Sequence, residues 1–397
     1  MKVLVIGNRV PWPLKDGGAI ASYNMLLGLS QLGIEIHFVS LNTNKHYVDQ
    51  ASIQNAFGFC KSVHTFDIDT SLSPLKAFVN LLSKQSYHIE RFTHQGFTQL
   101  IQSILDKEAF DLIHFESLFT TQYRQWIRTD LPCIYRGHNI EYKIWELLSD
   151  HSSNPLKKWY LRLLARRLKS FETNIAQLFE SVVCISPIDL NDVQTWGLKG
   201  HLTQLPGGIV YQAKAFKTPS DKLYHLGYMN WLPNQQAMQW FHDEVWPIVT
   251  AKFPKAEFFM AGKSMPLQFF NWQDKQFNVT GEVDSAKGFT EDKGILLVPL
   301  NSGSGIRMKT IEAMMEGKAV VTTQLGANGL LIEHGRDCLI AQDAESFADA
   351  VVSLISNADL RHQIAIQGQA TAMAHYENTQ VSKQWEKLYQ ALIHKQL

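Results

Sequence analysis

The chain has 397 residues, too many for one ordinary core and suited to two domains of roughly 150–200 residues each. Hydrophobic residues make up 45% and charged residues 19%, which excludes a disordered chain. The 37 Lys plus Arg balance 37 Asp plus Glu, so the basic excess of a nucleic-acid binder is missing.

The first residues, Lys2 to Gly7, read as a buried parallel strand because they are aliphatic without alternation. A Pro- and Gly-rich loop follows, then a helical pattern from Ala19 to Leu32 with Gly33 placed as a C-terminal cap. Further strands are expected at Ile34–Leu41, Val63–Phe66, Leu112–Phe115, Cys133–Arg136, Val182–Ile185 and His201–Leu205. Helices are expected at Pro74–Lys84, Phe97–Asp106, Leu118–Ile127 and Pro155–Phe179. Pro206-Gly207-Gly208 and the polar stretch to Asp221 read as a linker. A second α/β series runs through Leu223–Gly227, Glu257–Ala261, Gln276–Thr280, Ile295–Val298 and Ala319–Thr322. The last helix, Thr379 to Ile393, carries Val381, Trp385, Leu388 and Leu392 on one stripe. This alternation predicts two Rossmann-like, doubly wound α/β domains facing a cleft, with ligands at the carboxyl ends of the strands.

No apolar stretch approaches the ~20 residues of a bilayer span, and the opening run is too short for a signal-peptide core. Cys60, Cys133, Cys184 and Cys338 are scattered, without the spacing of a zinc site. The expectation is a cytoplasmic protein without disulfides or a structural metal.

The segment from Asn301 to Met314 follows a strand and opens a helix. Gly303 and Gly305 allow close backbone approach, with Ser304 and Ile306 beside them, and the first-turn N–H groups attract an anion. Arg307 and Lys309 oppose the helix dipole there, at a cost of about 0.3–1 kcal/mol each unless an anion compensates. A bound diphosphate is the simplest explanation. Glu312 stands one and a half turns further on, where it can accept from vicinal hydroxyls such as those of a ribose.

This segment resembles the signature of GT-B glycosyltransferases of family 4 (glycosyl transferases group 1), in a subgroup with the pattern GxG(T/I)RxKxxEAM. Four further stretches resemble that family in order: Val10–Gly18, Arg136–Tyr142, Leu226–Asn234 and Ala319–Thr323. The resemblance implies a C-terminal domain that binds a nucleotide-sugar donor and an N-terminal domain that binds the acceptor. It implies metal-independent transfer with retention, needing no cofactor. It places His138 beside the donor sugar, and Gly17 and Gly18 where their amides approach the diphosphate. Glu116 and Glu141 are acceptor-side candidates.

Two departures are visible. Ser304 stands where many members carry a Glu that binds the donor sugar, while Glu312 matches the ribose-binding position. Tyr228 and Asn234 stand where many members carry a diphosphate-binding Arg and Lys, and Arg307 and Lys309 are positioned to replace them. Asp67-Ile68-Asp69 has the form of a metal-binding Asp-x-Asp but ends a strand in the wrong domain.

The resulting expectation is a glycosyltransferase with an acceptor domain (1–206), a donor domain (207–375) and a final helix (376–397) crossing back to the first domain. Its donor would be a UDP or GDP sugar and its acceptor a glycan or lipid-linked hydroxyl. Residues 157–169 carry six basic and no acidic side chains, interleaved with apolar ones, and offer peripheral contact with an anionic membrane face. The alternatives are a non-catalytic nucleotide-sugar-binding subunit and a GT-B sugar-nucleotide epimerase.

Overall fold

The computed structural model describes residues 1–395 apart from 84, 151, 213–215 and 304. It divides into two compact units: Met1–Val210 together with Asn378–Leu397, and Tyr211–Glu377.

The first unit is built on seven strands: β1 (Lys2–Gly7), β2 (Glu35–Thr43), β3 (Ser62–Ile68), β4 (Leu112–Glu116), β5 (Cys133–Gly137), β6 (Ser181–Cys184) and β7 (His201–Gln204). All pair in parallel, in the order β3-β2-β1-β4-β5-β6-β7. Burial on both faces explains the non-alternating β1: Leu4 and Ile6 join one core, and Val3 and Val5 join the other. The strand order reverses between β1 and β4, so Gly7 and Glu116 end side by side at the carboxyl edge.

The C-terminal helix, Asn378–Ile393, belongs to this unit. Its Val381, Trp385, Leu388, Tyr389 and Leu392 share a core with Met25, Leu26 and Leu29 of the helix Gly17–Gln31. The two helices approach closely at Gly28, where a β-carbon would lie 2.0 Å from Ser382 Oγ.

The second unit has six parallel strands: β8 (Leu223–Leu226), β9 (Phe258–Ala261), β10 (Phe277–Gly281), β11 (Ile295–Val298), β12 (Ala319–Thr323) and β13 (Leu339–Ala341). Their order is β10-β9-β8-β11-β12-β13, again reversing beside the first strand of the unit. Its core joins Leu223, Phe258, Met260, Leu297 and Val321 of the sheet to Phe241, Trp246 and Phe347 of the flanking helices.

Several helices differ from expectation. The helix from Pro74 ends at Asn80, where Arg167 donates to the Asn80 and Leu81 carbonyls at 2.9 and 3.0 Å. The segment after Leu118 is a short α-turn to Thr121 followed by a 3-10 turn, Gln122–Gln125, with the Tyr123 hydroxyl bonded to the Phe92 carbonyl at 2.6 Å. The long helix from Pro155 stops at Ile175 and tightens into a 3-10 turn. No helix among the described residues is long and apolar enough to cross a membrane.

Candidate functional site

In the first unit, β4 reads Leu-Ile-His-Phe-Glu, placing two polar side chains in an otherwise apolar strand. Both are buried, and their partners explain how. The Glu116 carboxylate accepts from Ser22 Oγ (2.7 Å), Arg136 Nη1 (2.9 Å) and His138 Nε2 (2.7 Å) on one oxygen, and from His114 Nε2 (2.8 Å) on the other. Burial pushes its carboxyl up, but Arg136, His138 and the histidine hydrogen bonds outweigh that and hold it well below the usual range. His114, lowered by burial, is neutral. With its Nε2–H given to Glu116, its Nδ1 accepts from the Tyr389 hydroxyl at 2.7 Å.

His138 follows β5 and lies at the rim of this network, with 18% of its side chain exposed. Donating Nε2–H to Glu116 leaves Nδ1 as its remaining polar atom. Glu116, expected on the acceptor side, is therefore buried and committed to four donors; it orients His138. Arg136 is fully buried, its guanidinium carbon 5.5 Å from the Trp385 ring centre. Ser22, His114, Arg136 and Tyr389 were missed by sequence reasoning. The His-x-Glu pair within a buried strand was the available signal.

Glu141 opens the helix Glu141–Asp150, and burial lifts its carboxyl to about 7. Its N–H and that of Tyr142 bond the buried Glu172 carboxylate at 3.2 Å each. Glu141, His138 and Glu116 line one cavity of about 410 Å³ with Gly18. Gly17 and Gly18 form the first turn of their helix, where Asp16 caps by accepting from the Ala19 N–H at 3.0 Å. A side chain at Gly18 would crowd Arg9 Nη2 at 3.2 Å.

In the second unit, the loop after β11 leads into the helix Met308–Met315. Gly303 and Gly305 take φ of 101° and 87°, left-handed values that favour glycine. A β-carbon on Gly303 would strike the Trp231 ring at 2.8 Å. Ser304 lies outside the described residues, and Ile306 is half-buried beside it. Arg307 is 7% exposed, with its guanidinium carbon 5.1 Å from the Trp231 ring centre. Burial lowers its pKa to about 10.

Lys309 Nζ lies 3.3 Å from His225 Nε2 and 3.3 Å from Asn234 Oδ1. His225 sits on β8, fully buried, with Nδ1 2.9 Å from the Leu297 carbonyl. A carbonyl only accepts, so Nδ1 carries the proton and Nε2 accepts from Lys309. Burial and Lys309 hold His225 well below its usual pKa. Burial, with Arg307 adding to it, lowers Lys309 to about 7. Asn234 also donates to the Tyr228 carbonyl at 3.0 Å, while the Tyr228 side chain is exposed. His225 is a further residue that sequence reasoning missed. Glu312 is exposed on the helix.

Two doubly wound parallel sheets with these sites at their carboxyl edges define the GT-B glycosyltransferase class. A family model described as Glycosyltransferase Family 4 matches residues 15–212, and one described as Glycosyl transferases group 1 matches residues 220–357. The chain belongs to this family of group 1 glycosyltransferases. An uncharacterized 44.6 kDa protein in the cps region of Klebsiella pneumoniae is 21% identical, over 96% of this chain and 97% of its own. Sucrose-phosphate synthase from Thermosynechococcus elongatus superposes with a TM-score of 0.69 at 14% identity, covering 100% of both chains. Anabaena HepE in complex with UDP superposes with a TM-score of 0.64 at 13% identity, covering 98% of this chain and 100% of that one. HepE has also been solved with UDP-glucose.

Proposed function

We propose that the protein transfers a sugar from a UDP or GDP sugar to a hydroxyl of a glycan or lipid-linked acceptor, without a metal and with retention at the anomeric carbon. The observation that carries this reading is Lys309: a half-buried lysine at a Gly-rich strand-to-helix loop, whose described partners, His225 Nε2 and Asn234 Oδ1, are both neutral. Desolvated cations without a counter-charge are costly unless an anion completes the site. A diphosphate supplies that anion, and Arg307 and the first-turn N–H groups add to its binding. UDP and UDP-glucose complexes of the similarly folded HepE favour a uridine donor.

In the reaction, the bond from the anomeric carbon to the β-phosphate oxygen breaks and the acceptor oxygen bonds to that carbon. The departing phosphate oxygen takes the hydroxyl proton. Lys309 and Arg307 meet the charge that builds on the leaving group, and Gly303 and Gly305 keep side chains away from it. His138, oriented by Glu116, supplies a polar contact to the sugar undergoing transfer. Glu312 holds the ribose.

The first unit takes the acceptor, and peripheral membrane contact brings it to a lipid-linked one. Leu161, Leu164, Ala165 and Leu168 of the basic helix are buried, but Leu156 and Trp159 are 78% and 59% exposed beside Lys157, Lys158, Arg162 and Arg166. That face fits anionic lipid.

Calorimetric titration with UDP, GDP, ADP and CMP, followed by their sugars, tests the donor. Binding of UDP or GDP, with slow hydrolysis of one of their sugars that survives chelator, is expected. Preference for CMP alone overturns the reading. Binding without hydrolysis or transfer points to a non-catalytic subunit.

A further inference from the structure

The cavity beside His138 carries an uncompensated positive charge, which shows when each charged lining residue is paired off. Arg9 is matched by Asp16, with Nη1 2.9 Å from Oδ2. Glu116 is matched by Arg136. Glu141 is pushed to about 7 and carries only part of a charge at neutral pH. His46 is held below its ordinary pKa by burial, then by Arg9 and Lys45, and stays neutral.

Lys45 and Arg91 remain, and neither has a carboxylate within ion-pairing distance among the described residues. Both line the cavity. A hydrogen bond fixes Arg91 at Thr70, and a second ties Thr70 to the residue before the exposed Lys45. Arg91 Nε donates to the Thr70 carbonyl at 2.9 Å, and Asn44, next to Lys45, accepts from the Thr70 N–H at 3.2 Å. Nothing described accepts from the two Nη groups of Arg91, which keep their planar fork free. The adjacent Asp69 does not line the cavity; its carboxylate takes the Asn44 amide at 2.7 Å and the Ser71 N–H at 2.8 Å. Thr43, 3% exposed, lines the same cavity, and its hydroxyl has no described hydrogen-bond partner.

We propose that this cavity selects an acceptor sugar bearing an oxyanion, a phosphate ester or a carboxylate, which seats between Arg91 and Lys45 with the Thr43 hydroxyl donating to it. Two cations and an unspent donor lining one cavity recognise an oxyanion by charge-assisted hydrogen bonds. A neutral sugar would leave them unmatched. The inference rests on the reading of the first unit as the acceptor domain.

The test is calorimetric titration of the protein, saturated with UDP to fill the diphosphate site, with glucose 6-phosphate, glucuronate and glucose. One or both charged sugars should bind at least about tenfold tighter than glucose, and which of the two does so distinguishes phosphate from carboxylate. Arg91→Gln should abolish that preference. Should Arg91→Gln fail to fold, Lys45→Ala, at an exposed position, should weaken it several-fold and weaken its salt dependence. Equal binding of all three sugars, or a preference that survives in these variants, overturns the proposal. UDP titrated alone into the wild type reports on the donor reading separately.

Discussion

Replacing Lys309 with methionine should stabilise the ligand-free protein while destroying its donor site. The perturbation removes a charge from a half-buried position whose described partners are His225 Nε2 and Asn234 Oδ1. The fall in pKa from 10.5 to about 7 corresponds, at ~1.4 kcal/mol per unit, to about 5 kcal/mol of unfavourable folding energy. Relaxation and residual solvent around the side chain bring this to about 2–4 kcal/mol. The folded-state pKa lies below the unfolded one, so the penalty is complete below about pH 7 and disappears as the pH rises through 10.5. Urea denaturation near pH 6.5, 8.5 and 10 should therefore show Lys309→Met more stable than wild type, by a margin that narrows with pH. UDP should bind the wild type with proton uptake at pH 8 and should fail to bind the variant. A variant less stable at pH 6.5, or a margin constant with pH, would refute the reasoning.

Other perturbations probe the remaining groups. Glu116→Gln leaves Arg136 buried without its counter-charge and should cost about 3–5 kcal/mol of stability in a denaturant titration. The contribution of Glu116 is present above the unfolded carboxyl pKa of about 4.5 and lost as pH falls through its depressed folded value, so the deficit should shrink in acid. Arg307→Ala should lower kcat/KM by about 2–4 kcal/mol of transition-state stabilisation; unchanged turnover and donor KM would remove Arg307 from the mechanism. The pair Leu156→Ser and Trp159→Ser should reduce flotation with anionic vesicles at low salt. Wild-type protein that fails to float would end the lipid reading.

The basic helix illustrates why burial needs three dimensions. Its sequence mixes apolar and basic positions around most of the circumference, and only packing reveals Leu161, Leu164 and Leu168 as inner and Trp159 as outer. Arg167 is spent on the Asn80 and Leu81 carbonyls, and Lys169 lies 4.9 Å from the Tyr142 ring centre. The helices Glu141–Asp150 and Pro187–Gln194 and the three-residue β13 were not anticipated. The first begins on a cap supplied by Glu172, 31 residues away, which no local pattern reveals.

From the sequence alone, the strand runs, the spacing of Gly303, Gly305, Arg307 and Lys309, and the stripe of the last helix were enough to define two doubly wound domains and an anion-seeking loop. These are local properties, set by periodicity and by backbone freedom within a few residues. Only tertiary structure decided what the charges face. His225 and Asn234 lie 84 and 75 residues from Lys309, and Tyr389 lies 275 from His114. Parallel strands and the helices packed on them bring such distant residues together, where desolvation and the chosen partner, rather than residue type, determine which charge is spent on structure and which is left for a ligand.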